Sequence, residues 1–341
     1  MNRLKPVVLV LVALFGFQVA SPVPFTEATA SLTAPSAILL EPATQKIIYS
    51  RAPHRKQPPA STTKIVTALV VLDSLALDEW VRVPSGVRGV EASKLYVRPG
   101  ERFKVHDLLK ALLMNSANDV AVALAVAVSG SEREFAKLMT AKAQSVGAAD
   151  TRFLNASGLP IEGQHSTAYD LALMMQEAMR NEVIVSILKL KRTSIHTDRG
   201  KRYDLKSHNK MLWRPERVIG KTGWTRGARY CFVGVIEEGP KDTIVAVLGS
   251  NKLWKDLSNL VQRITGAISR KNGKILSYGD RGKEVSNLQL GLKRAGFFFG
   301  RATGYFGTRT KKAVMDFQKS QGLHSDGAVG AQTRKALSPY L

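Results

Sequence analysis

Cysteine is almost missing from this chain. Cys231 is the only one in 341 residues, so no internal disulfide can form. It lies between Tyr230 and Phe232 in an apolar strand pattern, where a small buried thiol is the expected role and chemistry is not. Acidic residues are scarce as well: 27 Asp and Glu face 50 Lys and Arg, a net charge of +23. Such an imbalance calls for an anionic neighbour, whether nucleic acid, an acidic membrane face or an acidic wall polymer. No phosphate loop or dinucleotide fingerprint occurs. Neither His165 nor His208 has metal-ligand partners at a useful spacing, so no metal and no cofactor is expected. The apolar run Val7 to Phe17 near the start of the chain is too short for a comfortable membrane span.

That run has flanks of its own. Arg3 and Lys5 precede it, and the small residues Ala20-Ser21 and Ala28-Thr29-Ala30 follow. The pattern predicts an export signal over residues 1–30, cleaved after Ala20 or Ala30, with an uncleaved anchor as the alternative. Export places the mature chain in the periplasm or the extracellular wall. Membrane contact is then expected only through the signal segment, and nucleic acid is not expected as a partner. The basic charge turns towards an envelope polymer.

The segment organising the rest is Pro59-Ala60-Ser61-Thr62-Thr63-Lys64, which opens the mostly apolar run Ile65 to Leu72. The run reads as a buried helix, although its β-branched residues would also suit a strand. On a helix, Ser61 and Lys64 share a face in the first turn. An amine one turn away can take the proton of a hydroxyl that is otherwise a poor nucleophile, and a helix N-terminus suits an oxyanion. The bland alternative is a capping Ser beside a solvated Lys.

Around this segment, Ser36 to Leu40 and Lys46 to Ser50 flank a turn composition and predict a β-hairpin. Short strands are expected over Val81 to Val105, and helices over Val105 to Met114 and Val120 to Val128. The polar break Asn115 to Asp119 between those helices is either a capped turn or a way of presenting a hydroxyl and an amide to a cleft. Helices are expected over Ser131 to Val146 and Thr167 to Arg180, a loop over Asn155 to Ser166, and a surface-covering stretch over Lys191 to Asp204. Strands follow from Arg217, over Arg229 to Ile236 and Thr243 to Gly249, with a closing helix over Trp254 to Ile268. Strands from both ends with helices between predict an α+β domain on an antiparallel sheet, residues 31–268. A polar linker over 269–279 leads to residues 280–341. There Gly304-x-Phe306-Gly307-x-x-Thr310-x-x-Ala313-Val314 recurs 23 positions on as Gly327-x-Val329-Gly330-x-x-Thr333-x-x-Ala336-Leu337. Each copy is a Gly turn opening a short helix. Leu288, Leu292, Phe298, Phe317 and Leu337 supply a small core.

Three separated elements align: Ser61-x-x-Lys64, Ser116-Ala117-Asn118 and Lys221-Thr222-Gly223. Together they match the trio of penicillin-binding proteins and β-lactamases. With Leu113 to Asp119, His165 to Asp170 and Gly220 to Thr225, residues 34–250 resemble the low-molecular-mass serine-type D-Ala-D-Ala carboxypeptidases. The tail, through Gly282-x-x-Val285-x-x-Leu288-Gln289 and Phe317-Gln318-x-x-x-Gly322-Leu323, resembles the three-helix peptidoglycan-binding module. The resemblance implies a β-lactamase-like α+β fold followed by a small all-α module. It implies Ser61 as nucleophile, Lys64 as base, Ser116 as proton relay and Asn118 as a holder of Lys64 and the substrate amide. Lys221 and Thr222 would meet the substrate carboxylate, Gly223 would admit a substrate strand, and the backbone N–H groups of Ser61 and Trp224 would form an oxyanion hole. The expected substrate is the stem peptide of peptidoglycan, with β-lactams as inhibitors and the wall polymer bound by the module. Endopeptidase or β-lactamase activity would share the site, and an inactive wall-binding protein is the reading from another class. One departure stands out: Ala228-Arg229 occurs where the family usually carries Ala-Gly.

Overall fold

The computed structural model describes residues 32–91, 93–214, 218–237, 242–272 and 275–341. The expected export signal lies outside them. The first hairpin forms as the turn composition predicts, β1 (Ser36–Glu41) against β2 (Lys46–Arg51), with a register shift between Leu39 and Leu40. A 3-10 turn over Ala60–Thr63 then runs into α1 (Lys64–Ser74), so Ser61 sits in a tighter turn than the expected α-helical one. Residues Lys64 to Val71 are all buried, which makes α1 a central helix, wrapped by neighbours on every side.

The short strands β3 (Trp80–Arg82) and β4 (Arg102–Lys104) pair with each other, and α2 (Val105–Met114), α3 (Asn118–Ser129), α4 (Glu132–Ser145) and α5 (Ala168–Met179) pack around α1. Ser131 and Thr167 cap α4 and α5 by accepting from Glu134 N and Asp170 N. Two elements were not foreseen. The first is α6 (Glu182–Lys189), capped by Asn181. The second replaces the loose surface stretch expected over Lys191 to Asp204: β5 (Arg192–His196) and β6 (Arg202–Lys206) form a hairpin that buries Ile195 and Leu205. Single apolar residues among basic ones are too weak an alternation to announce it.

The last strands are β7 (Val218–Thr225), β8 (Arg229–Ile236) and β9 (Thr243–Ser250). They join the first hairpin in one antiparallel sheet of order β2-β1-β9-β8-β7. Side chains alternate across it. Ile38, Leu40, Ile219, Cys231 and Val233 face the helical block, while Leu39, Val218, Phe232 and Val245 face α7 (Leu253–Asn272). The helix passes Ser269, where the linker was expected to start. Near its beginning Asp256 is fully buried. Its carboxylate accepts from Thr33 N at 2.9 Å, Thr33 Oγ1 at 2.7 Å, Ala34 N at 3.0 Å and Ser250 Oγ at 2.7 Å.

The C-terminal region is a three-helix module: α8 (Lys283–Arg294), α9 (Thr308–Ser320) and α10 (Ala331–Leu337) around Val285, Leu292, Phe306, Val314, Phe317 and Leu337. The repeat is carried by hydrogen bonds as well as by letters. Gln289 accepts from Gly304 N and donates to Tyr305 O and Thr310 Oγ1. Gln318 does the same with Gly327 N, Ala328 O and Thr333 Oγ1. Each buried amide thus fastens one Gly turn to the helix that follows it. Among the described residues, no helix is long and apolar enough to cross a membrane.

Candidate active site

The three motif segments arrive from different elements. The 3-10 turn brings Ser61, the first residue of α1 is Lys64, the connection between α2 and α3 holds Ser116, α3 begins at Asn118, and β7 carries Lys221 to Trp224. All converge on one cleft. Ser61, Ser116, Asn118, Thr222, Gly223 and Trp224 line a single cavity of about 670 Å³, and Lys64 and Lys221 are buried beneath it.

Two of the positions bend the backbone into the left-handed region that L-residues avoid: Ala60 at φ 48° and Ser116 at φ 59°. Gly158, at φ 82°, explains part of this tolerance. A Cβ there would lie 1.9 Å from Ala60 O, so the 155–158 loop is pressed against the turn that presents Ser61. Asn155 Oδ1 folds that loop by accepting from Gly158 N at 2.7 Å, and Glu132 holds it from α4 by accepting from Ala156 N at 2.9 Å. From the other side comes Gly223. A Cβ on it would lie 2.8 Å from Ser61 N and 3.0 Å from Ala60 Cβ. The edge strand therefore rests directly on the Ser61 turn.

Lys64 Nζ lies 3.1 Å from Ser61 Oγ, 2.7 Å from Asn118 Oδ1 and 2.6 Å from Ser157 O. The orientation of the Asn118 amide is fixed because its Nδ2 donates to Glu91 O at 3.1 Å. Burial pushes Lys64 well below the ordinary lysine range. The charge of Lys221 pushes the same way, and Glu132 and Asp119 oppose both. Lys221 Nζ donates to Ser116 Oγ at 3.0 Å and to Thr222 O at 2.7 Å, and burial brings its pKa down to about 7. His208 lines the cavity and is held below its usual value by burial, then by Lys221 and Lys64. Cys231 is buried opposite Gly223, its thiol pushed up to about 12 by burial.

A neutral lysine amine has two N–H bonds and one lone pair. Asn118 Oδ1 and Ser157 O can only accept, so they occupy both hydrogens. The lone pair is left facing Ser61 Oγ, and a hydroxyl there can give up its proton. Every side chain in this cluster is legible in the sequence, but the carbonyls of Ser157 and Glu91 are not. A backbone oxygen carries no residue-type signal; the nearest clue was Asn155-x-Ser157-Gly158, an Asx turn with a left-handed glycine. Nor does the sequence show the outer wall of the cleft, where Arg226, Tyr230, Leu253 and Trp254 stand.

Residues 23–252 match the model of the D-alanyl-D-alanine carboxypeptidase family, and residues 281–337 match that of a peptidoglycan binding domain. The chain is 34% identical over 224 residues to D-alanyl-D-alanine carboxypeptidase DacF of Bacillus subtilis, which takes in 64% of this chain and 58% of that one. It thus spans less than two thirds of that relative's length. It is 32% identical over 292 residues to the D-alanyl-D-alanine endopeptidase of Escherichia coli, 78% of this chain and 93% of that one. Among solved structures it resembles the D-alanyl-D-alanine carboxypeptidase of Mycobacterium tuberculosis H37Rv, at a TM-score of 0.66 and 28% identity, over 71% of this chain and 95% of that one.

Proposed function

This chain belongs to the D-alanyl-D-alanine carboxypeptidase family, and from that premise we propose that it removes the terminal D-alanine of peptidoglycan stem peptides through an acyl-enzyme on Ser61. Lys64 takes the Ser61 proton as Oγ attacks the carbonyl carbon between the two D-alanines. The backbone N–H groups of Ser61 and Trp224 receive the developing oxyanion; one such donor is worth about 3 kcal/mol in the transition state. Ser116 passes a proton to the departing amine, and Asn118 orients Lys64 and the substrate amide. Lys221 and Thr222 hold the terminal carboxylate. The bare edge at Gly223 lets the peptide lie along β7. Water then hydrolyses the ester.

The observation that carries this reading is the hydrogen-bond count at Lys64: two obligate acceptors at 2.7 and 2.6 Å leave the lone pair for Ser61. A fluorescent penicillin should label the wild type covalently and leave a Ser61→Ala variant dark. Equal labelling of both proteins would remove Ser61 from the mechanism. We place the step in residues 31–268, with the last helix running on to Asn272, and the wall tether in residues 280–341, outside the cytoplasm. A second reading, cleavage of D-alanine cross-links, is favoured by one fact: the chain spans 93% of the Escherichia coli endopeptidase but only 58% of DacF.

A further inference from the structure

Lys64 depends on two acceptors, and a different part of the fold holds each. Asn118 is fixed by its bond to Glu91 O. The Ser157 carbonyl is a loop atom, and it stays 2.6 Å from Lys64 Nζ only if its peptide is clamped. The clamp acts on the residue before it. Ala156 is fully buried; its N–H donates to Glu132 Oε1 at 2.9 Å, and its carbonyl accepts from Thr67 Oγ1 at 2.7 Å. Thr67 is itself buried, on α1 one turn beyond Lys64. Glu132 is the first residue of α4, directly after the Ser131 cap. Further along the same helix Thr140 Oγ1 accepts from Phe153 N at 3.1 Å, so α4 also holds the approach to the loop.

A neutral side chain would accept the Ala156 N–H as well. A carboxylate does more, because it acts on a buried amine through space. Burial pushes Lys64 down most and Lys221 on β7 adds to it, while Glu132 on α4 and then Asp119 on α3 push it up. His208, at the cavity wall, is the other titratable group coupled to Lys64. The balance decides what Lys64 offers Ser61. With three hydrogens it donates to Ser61 Oγ and takes no proton; with two, its lone pair faces that oxygen. We propose that Glu132 is a positioning residue with two effects: through Ala156 it seats the Ser157 carbonyl on Lys64, and through its charge it sets the lower pH limit at which Lys64 still works as a base. The proposal rests on the acyl-transfer reading above, in which Lys64 takes the Ser61 proton. Glu132 is not among the described residues lining the cavity. It acts through Lys64 and moves no proton itself.

Substitution separates the two effects. Glu132→Gln keeps an oxygen for Ala156 N and removes the charge. Glu132→Ala removes both, and Thr67→Val removes the second hold on Ala156. The test follows penicillin acylation of the full chain across pH by stopped-flow fluorescence, with a thermal melt to show that each variant is folded. In Glu132→Gln the acid limb should move to lower pH, because the charge that favoured the protonated amine is gone; a purely structural role would lower the rate without moving the limb. In Glu132→Ala the plateau rate should fall at least about 10-fold, since a misplaced base costs rate at every pH. Thr67→Val should lower the plateau and leave the acid limb in place. An unmoved acid limb in Glu132→Gln overturns the proposal, as does an undiminished plateau in Thr67→Val or in folded Glu132→Ala. If Glu132→Ala does not fold, the other two variants decide. Either result in a wild type that still labels at Ser61 leaves the acyl-transfer reading standing; a wild type that takes no label overturns reading and proposal together.

Discussion

Gly223 shows how little room the reaction centre leaves. Any side chain there would press on Ser61 N, 2.8 Å from the position of a Cβ, and on Ala60, which is already left-handed. Gly223→Ala should therefore displace the edge strand and spoil an oxyanion donor. Penicillin acylation should slow at least about 100-fold, measured by stopped-flow fluorescence; an unchanged rate would show that the strand does not set the donors. The lysines give a pH signature. As the proposed base Lys64 works only when neutral, and burial lowers its pKa, so it loses its proton at a lower pH than an ordinary lysine would. Acylation should persist to lower pH than an ordinary lysine base would allow and fall on further acidification. Lys221, brought down to about 7, loses its charge above that value, so capture of the carboxylate should weaken on the alkaline side. A labelling rate that climbs steadily into the ordinary lysine range would mean that Lys64 is not depressed. Lys64→Arg, which cannot deprotonate, should be dead throughout. At this scale the sequence was legible where chemistry depends on side-chain type, as at Ser61, Lys64, Ser116, Asn118 and Lys221. It was silent on the Ser157 and Glu91 carbonyls and on the left-handed Ala60 and Ser116, because those follow from how loops pack. The Arg229 departure lands on a related point: the residue starts β8 at φ 56°, a conformation that glycine adopts without cost.

At the scale of elements, the C-terminal repeat was visible through its glycines, and its buried amides make it testable. Replacing Gln318 with Leu keeps the volume but strands Gly327 N and leaves Ala328 O and the Thr333 hydroxyl only their long 3.5 Å bond to each other, at a cost of about 1–3 kcal/mol. Hydrogen exchange at the Gly327 amide should quicken at least about 10-fold. Unaltered exchange would show that the bracket contributes nothing. The first hairpin was legible from the turn composition between two short apolar runs, and the helices around α1 from the spacing of their apolar residues. The β5–β6 hairpin and α6 were not. One buries a single residue per strand and the other is only eight residues long, so tertiary packing, more than local pattern, decides them.

For the whole molecule, charge and module point the same way. From Asp280 onward there are 11 Lys and Arg against 4 Asp and Glu. A chain ending at Asn272 should still take the penicillin label but sediment less with insoluble peptidoglycan; undiminished sedimentation would assign wall attachment to the catalytic domain alone. The antiparallel sheet was inferable from strands at both ends of the domain, but not the pairing of β1 with β9 across more than 200 residues.

That pairing, with the Asp256 carboxylate gripping Thr33 and Ala34, imposes an order of events. A ribosome delivers β1 first and its partner β9 last. Until then β1 has only β2 beside it, and one sheet edge stays unsatisfied. Closure across so long a loop is slow, so the central sheet stays incomplete until nearly all of the domain that holds it has been made.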